Sequence, residues 1–266
     1  MSEPVRLRVD LAYDGGPFAG FARQPDQRTV QGVLEDACAR LLGQQVRTTC
    51  AGRTDRGVHA LAQVVHLDVD PAVPRAGRAV EEPASFADRL DRLVGPAITI
   101  WGARRVSAAF DARFSATARS YRYRLVDAPR ISPLERHDRW HVGERLDVTG
   151  MRAAARTLLG EHDFASFCRR APGRTTVRRI DGITVARRGG LIAVGLTGPA
   201  FCHQQVRSIV GCLVEVGRGR RKPAWLGDVL AARDRAAAAR VAPPHGLVLE
   251  RVSFGRRWPA GGPPAG

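Results

Sequence analysis

Val5, Leu7, Val9, Leu11 and Tyr13 alternate with Arg6, Arg8, Asp10 and Ala12. That period of two predicts a half-buried strand. A Gly/Pro-punctuated loop, DGGPFAGFARQPDQ, follows. Val30, Val33, Leu34, Ala37 and Leu41 then recur at helical spacing, with Thr29 as N-cap and Gly43 as C-terminal stop. Val46 to Ala51 reads as a second strand, and alternation around Val65, Leu67 and Val69 as a third. Residues 71–84 read as a surface loop, followed by a helix near 85–94 and a strand near 97–106.

The second half repeats this grammar loosely. Tyr121, Tyr123 and Leu125 make a strand face. Met151, Ala154, Ala155 and Leu158 make a helix face, with Asp147 as cap and Gly160 as stop. Strands are expected near 177–187 and 190–197. A helix face follows at Val206, Ile209, Val210 and Leu213, then a helix near 224–235 and a closing strand near 247–254. Strict βαβ alternation is missing, which disfavours a doubly wound parallel sheet. The expected fold class is α+β: two similar α/β-type halves, each with a mixed, mainly antiparallel sheet flanked by helices. The halves are set at 1–110 and 111–254, with a Pro/Gly tail, 255–266, expected to be disordered.

Charge changes the picture. The formal net charge is +16, and of 42 basic residues only Lys222 is a lysine. A chain this basic attracts polyanions through counterion release, and nucleic acid is the commonest. An arginine-biased proteome with a solvated surface is the plain alternative. The cysteines, Cys38, Cys50, Cys168, Cys202 and Cys212, are odd in number and lack CxxC spacing, against a disulfide framework or structural zinc. MSEPVRLRVD lacks the apolar core of a signal peptide, and no apolar run approaches a membrane span of about 20 residues. A soluble, cytoplasmic protein is expected. His59 and His66 flank a strand without a third ligand in spacing, so no metal site is expected.

The segment with most chemical content is AGRTDRGVHA, Ala51 to Ala60, on a loop between two strands. Asp55 lies between Arg53 and Arg56, with Gly52 and Gly57 just outside. Guanidiniums favour a charged carboxylate, a poor general acid but a usable nucleophile. An Asx-turn former is the bland reading of the same residue.

AGRTDRGVHA resembles the catalytic segment of the tRNA pseudouridine synthase A family almost letter for letter. The likeness continues through YDGGPFAGFARQPDQRTVQGVLEDA, FDARFSATARSYRYRL, LLGEHDFASF and FCHQQVRSIVGCLVEVGRG. The chain departs from the family pattern at Phe21 and Ala22 (family Trp-Gln), at Asp91 in the LNxxLP-like stretch, at Asp111 (family His) and at Ser208 (family Asn).

The resemblance implies the pseudouridine synthase fold, with a catalytic cleft between the halves, and isomerisation of uridine to pseudouridine. It implies Asp55 as nucleophile and Arg53 as the residue that helps extrude the target base. It also implies Tyr121 as the ring stacked on the uracil and Arg207 as the carboxylate's partner. The substrates implied are tRNA uridines 38, 39 and 40 in the anticodon arm, flipped from their stack and bound by a homodimer. The reaction is redox-neutral, so no cofactor or catalytic metal is implied. The carboxylate has two routes, assisting at C1′ of the sugar or attacking C6 of the ring, and both stay open. Competing classes are a catalytically idle RNA binder on the same scaffold and a basic enzyme acting on free nucleotides.

Overall fold

The computed structural model describes residues 3–169 and 173–255. The expected disordered tail lies outside the described residues from position 256 on. The fold is α+β. The chain divides into two compact units, one running to Thr117 and resuming at Leu249, the other Ala118–Val248. Sequence grammar places the closing strand in the second half, whereas most of it belongs to the first unit.

In the first unit, β1 (Val5–Tyr13) leads to α1 (Val30–Leu42), the short β2 (Thr49–Cys50) and β3 (His59–Val69). Two helices follow, α2 (Pro74–Glu81) and α3 (Pro83–Val94), then β4 (Ile98–Val106). β1 is central and antiparallel to both β3 and β4. The closing strand, Leu247–Ser253, lies beside β3. Thr29 caps α1 by accepting from Gly32 N–H, and Gly43 ends it at φ 70°, both as the sequence predicts.

Two expectations are corrected. Residues 71–84 are not a loop. Pro74 and Pro83 read as loop punctuation, yet each sits in the first turn of a helix, where a missing N–H costs nothing. Ala76, Ala79 and Val80 form the buried side of α2. β1 is also not half-buried. From Leu7 onward both faces are covered. Arg8, only 1% exposed, has Asp10 at 2.6 Å and the rings of Phe254 and Phe110 at 4.6 and 5.6 Å. Desolvation lowers the Arg8 pKa, and Asp10 opposes that shift. Arg6 holds Asp68 with two bonds of 2.6 Å and donates to the carbonyls of Ala108 and Phe110.

The second unit contains β5 (Ala118–Val126), β6 (Trp140–His141), α4 (Val148–Arg156) and β7 (Gly160–Asp163). It continues with β8 (Val177–Ile180), β9 (Gly182–Arg188), β10 (Leu191–Gly198), α5 (Gln205–Gly217) and α6 (Trp225–Ala232). β10 runs antiparallel between β5 and β9, β6 adds parallel to β5, and β7 pairs with β8. Asp147 caps α4 as expected, but the helix stops at Arg156, and Gly160 at φ 95° opens β7 instead. Among the described residues no helix is long and apolar enough to cross a membrane.

One buried ion pair ties this unit together. Asp127, just after β5, takes bonds from Arg187 of β9 at 3.0 and 2.7 Å and from Leu146 N–H at 3.0 Å. Arg187 also donates to the Leu146 carbonyl. Burial pushes the Asp127 carboxyl upward, but these donors outweigh it and hold it below the usual carboxylate range. Its stabilisation is therefore present above the unfolded value, about pH 4, and fades as pH falls further. Asp127→Ala leaves the half-buried Arg187 guanidinium without its carboxylate and is expected to destabilise by about 1–3 kcal/mol, measured by urea unfolding at pH 7. The gap between variant and wild type should shrink below pH 4.

Candidate active site

The Asp55 loop is mounted on backbone. Phe21 N–H donates to the Thr54 carbonyl (3.1 Å), and Gln31 N–H donates to Phe21 O (2.9 Å). The loop preceding α1 is thus clamped between α1 and the Asp55 loop. Two glycines make the approach possible. A Cβ on Gly15 would lie 2.1 Å from Val58 O, and one on Gly20 would lie 3.2 Å from Thr54 O. Gly20 also sits at φ 115°, which side chains rarely adopt. Val58 N–H closes the turn on Asp55 O (3.1 Å), with Gly57 at φ 76°.

Side chains brace the same loop from below. Gln63 on β3 is fully buried and donates to Gly52 O (2.7 Å) and Tyr13 OH (3.3 Å). Tyr13 OH and Thr54 Oγ1 share a 2.8 Å hydrogen bond. Gly15 N–H donates to Nδ1 of the buried His59 (3.1 Å). Asp55 itself is half-buried, while Arg53 and Arg56 are exposed. Among the described residues neither Arg53 nor Arg56 forms an ion pair with Asp55.

The other sequence-picked residues lie in the second unit. Tyr121 on β5 shares a face with the buried Tyr123 and Leu125 but is half-exposed, edge-on to Phe201 at 5.3 Å. Arg207 is in the first turn of α5. It is not a freely solvated charge: its Nε donates to Ala242 O (2.9 Å), and Ala242 N–H returns a bond to Arg207 O (3.1 Å). Gln204, just before α5, is held at φ 65°, a rare left-handed conformation for a side-chain residue. The same turn brings two thiols together. Arg169 N–H donates to His203 O, and Cys202 Sγ donates to Thr176 O (3.9 Å), with Cys168 as its electrostatic neighbour. Cys168 and Arg178 favour the Cys202 thiolate, while Cys168 is pushed strongly upward. His66, the other histidine singled out, accepts from Ala112 N–H at 3.0 Å, and its pKa is lowered by desolvation and by Arg6.

The family described as tRNA pseudouridine synthase matches residues 11–115 and 154–255. The chain belongs to the tRNA pseudouridine synthase family. A tRNA pseudouridine synthase A of Frankia casuarinae is 49% identical over 253 residues, 94% of this chain and 89% of that one. Proteins of the same name from Ralstonia nicotianae and Mycobacterium leprae are 42% and 41% identical. They are aligned over 94% and 96% of this chain and 90% and 91% of theirs.

Against that family's pattern, four of the five departures have a structural place. Phe21 is buried, with its ring 6.1 Å from Tyr13 under the Asp55 loop. Asp91 accepts from Ile100 N–H (2.8 Å), tying α3 to β4. Asp111 accepts from the N–H groups of Arg113 and Phe114, both at 2.8 Å, and is a turn former. Ser208 is fully buried, and its hydroxyl has no partner. Sequence reasoning missed the Tyr13–Gln63–Thr54 brace, although a glutamine inside the apolar run LAQVVHL was a signal. It also missed residues 242–246. There Tyr123 OH donates to Pro243 O (2.7 Å), and a Cβ on Gly246 would lie 2.7 Å from the Tyr123 ring.

Gly20→Ala is expected to fold yet displace the Asp55 loop, lowering pseudouridine synthase kcat about 10²-fold with Asp55 intact; circular dichroism and single-turnover rates check both parts. Burial pushes Cys38 up to about 12 and Cys50 and Cys212 up to about 11. Iodoacetamide at neutral pH is therefore expected to label Cys202 first, read by peptide mass spectrometry, and Cys202→Ser should remove the fast phase.

Proposed function

We propose that the chain isomerises uridine to pseudouridine in the anticodon arm of tRNA, at positions 38, 39 and 40. The N1–C1′ bond breaks, the uracil turns, C5 bonds to C1′, the C5 proton leaves to solvent, and N1 takes up a proton in exchange. Asp55 is the nucleophile, acting at C1′ or at C6. Arg53 assists extrusion of the base and Tyr121 stacks on the uracil. Arg207 is the carboxylate's cationic partner in the reactive complex. The target base is flipped out of its stack, and the +16 charge grips the phosphate backbone. The enzyme works in the cytoplasm as a homodimer, without cofactor.

The observation that carries this reading is the mounting of Asp55. A half-buried carboxylate sits on a loop fixed by backbone hydrogen bonds and glycine contacts, within a chain of the pseudouridine synthase family. A turn-forming aspartate has no need of so rigid a support. Exposure of Arg53 suits a residue that enters a stack vacated by a base. The anchored Arg207 suits a cation whose position matters more than its charge alone.

Tritium release from unmodified tRNA carrying [5-³H]uridine tests the proposal. Asp55→Asn is expected to lose about 10³-fold or more while retaining salt-sensitive tRNA binding. Equal release by variant and wild type would remove Asp55 from the chemistry. No release by either, with binding kept, would favour the idle RNA binder.

A further inference from the structure

Four arginines from the three helices of the first unit line one surface hollow of about 190 Å³. Arg40 comes from the last turn of α1, Arg75 and Arg78 from α2, and Arg89 from α3; Leu41 completes the lining. Arg75 and Arg78 are three residues apart and so share a face of their helix. Arg89 is half-buried, and its Nε is buried with no hydrogen-bond partner.

Three other arginines of this unit have acids beside them. Arg6 has Asp68, Arg8 has Asp10, and Arg23 has Glu35 and Asp36. Among the described residues the hollow's four arginines have no ion-paired acid. The C-terminal end of α1 favours Arg40 through the helix dipole, but one partial charge cannot balance four guanidiniums. Arginine as a type is weak evidence here, because Lys222 is the only lysine in the chain. What sets the hollow apart is the convergence of its guanidiniums without an ion-paired acid, together with the orphaned Nε of Arg89 among the described residues. Guanidinium forks match the paired oxygens of a phosphate, and the hollow has several water volumes of space.

We propose that this hollow is a phosphate-binding site, occupied by the backbone of RNA held outside the reacting segment. α1 starts beside the Asp55 loop through the Phe21–Gln31 bond and ends at the hollow. At 1.5 Å rise per residue, Arg40 lies about 15 Å along the helix from that start. A phosphate there is separated from the target nucleotide by more than one nucleotide step. A free phosphate compound shares this chemistry, and the RNA source rests on the tRNA reading above.

Arg75→Gln/Arg78→Gln is the test variant, because both side chains are exposed and glutamine keeps helix propensity. Affinity for unmodified tRNA is measured from about 50 to 200 mM salt, and pyrophosphate binding by calorimetry on the full chain. The expected result is a log–log salt slope shallower by about 2 in the variant, with pyrophosphate binding weakened at least tenfold. Pyrophosphate binding lost from the variant with an unchanged tRNA slope would reassign the site to a free phosphate ligand and overturn the RNA occupant. An unchanged slope with no pyrophosphate binding by wild type would leave four solvated arginines and overturn the site itself. Tritium release by wild type, run in parallel, separates failure of the tRNA reading from failure of the hollow.

Discussion

The close packing of two backbones governs the first unit. The loop before α1 and the Asp55 loop meet where Gly15 and Gly20 leave no room for a Cβ. Phe21 N–H to Thr54 O then locks the pair. The position of Asp55 follows from that contact. A carboxylate on a loose loop would spend most of its time misplaced, whereas here the loop's position is shared with β1, β3 and α1. The brace of Tyr13, Gln63 and Thr54 extends the same logic into side chains. Each polar group is buried and bonded to another that faces the loop, so moving one breaks several bonds.

Burial of charge is the second organising feature. Arg8 is buried beside two touching phenylalanine rings with Asp10 as its counter-ion. Asp127 plays the converse part in the second unit, with Arg187 as its partner. Such pairs add little net stability compared with an apolar filling. They do forbid alternatives, since a shifted register would leave a charge buried and unmatched.

Much of this was legible in the sequence, and the exceptions have physical reasons. Strand and helix placements held where periodicity was long, as at β1, α1 and α5, and so did the Thr29 and Asp147 caps. α2 was missed because Pro74 and Pro83 punctuate loops and begin helices with the same letter. The second face of β1 was misread because Arg8 and Asp10 look solvated until Phe254, near the far end of the chain, covers them. The R-x-D-R spacing suggested that Arg53 and Arg56 flank Asp55. Both arginines are exposed on that loop, while Asp55 is half-buried. The hollow of Arg40, Arg75, Arg78 and Arg89 has no sequence signal at all, because it is assembled from three helices.

The closing strand has a consequence for how the molecule is made. Leu247–Ser253 lies beside β3, so the first unit's sheet is completed only after the whole second unit has been made. Residues 118–248 are then, in effect, an insertion within the first unit. They are all synthesised before that strand is available, and their sheet pairs mostly neighbours in sequence. The unit that begins first must therefore finish last, with the β3 edge covered only in part, by β2 at Val65 and His66, until the second unit has been made. Any factor that shields nascent strand edges would act on this protein chiefly through β3.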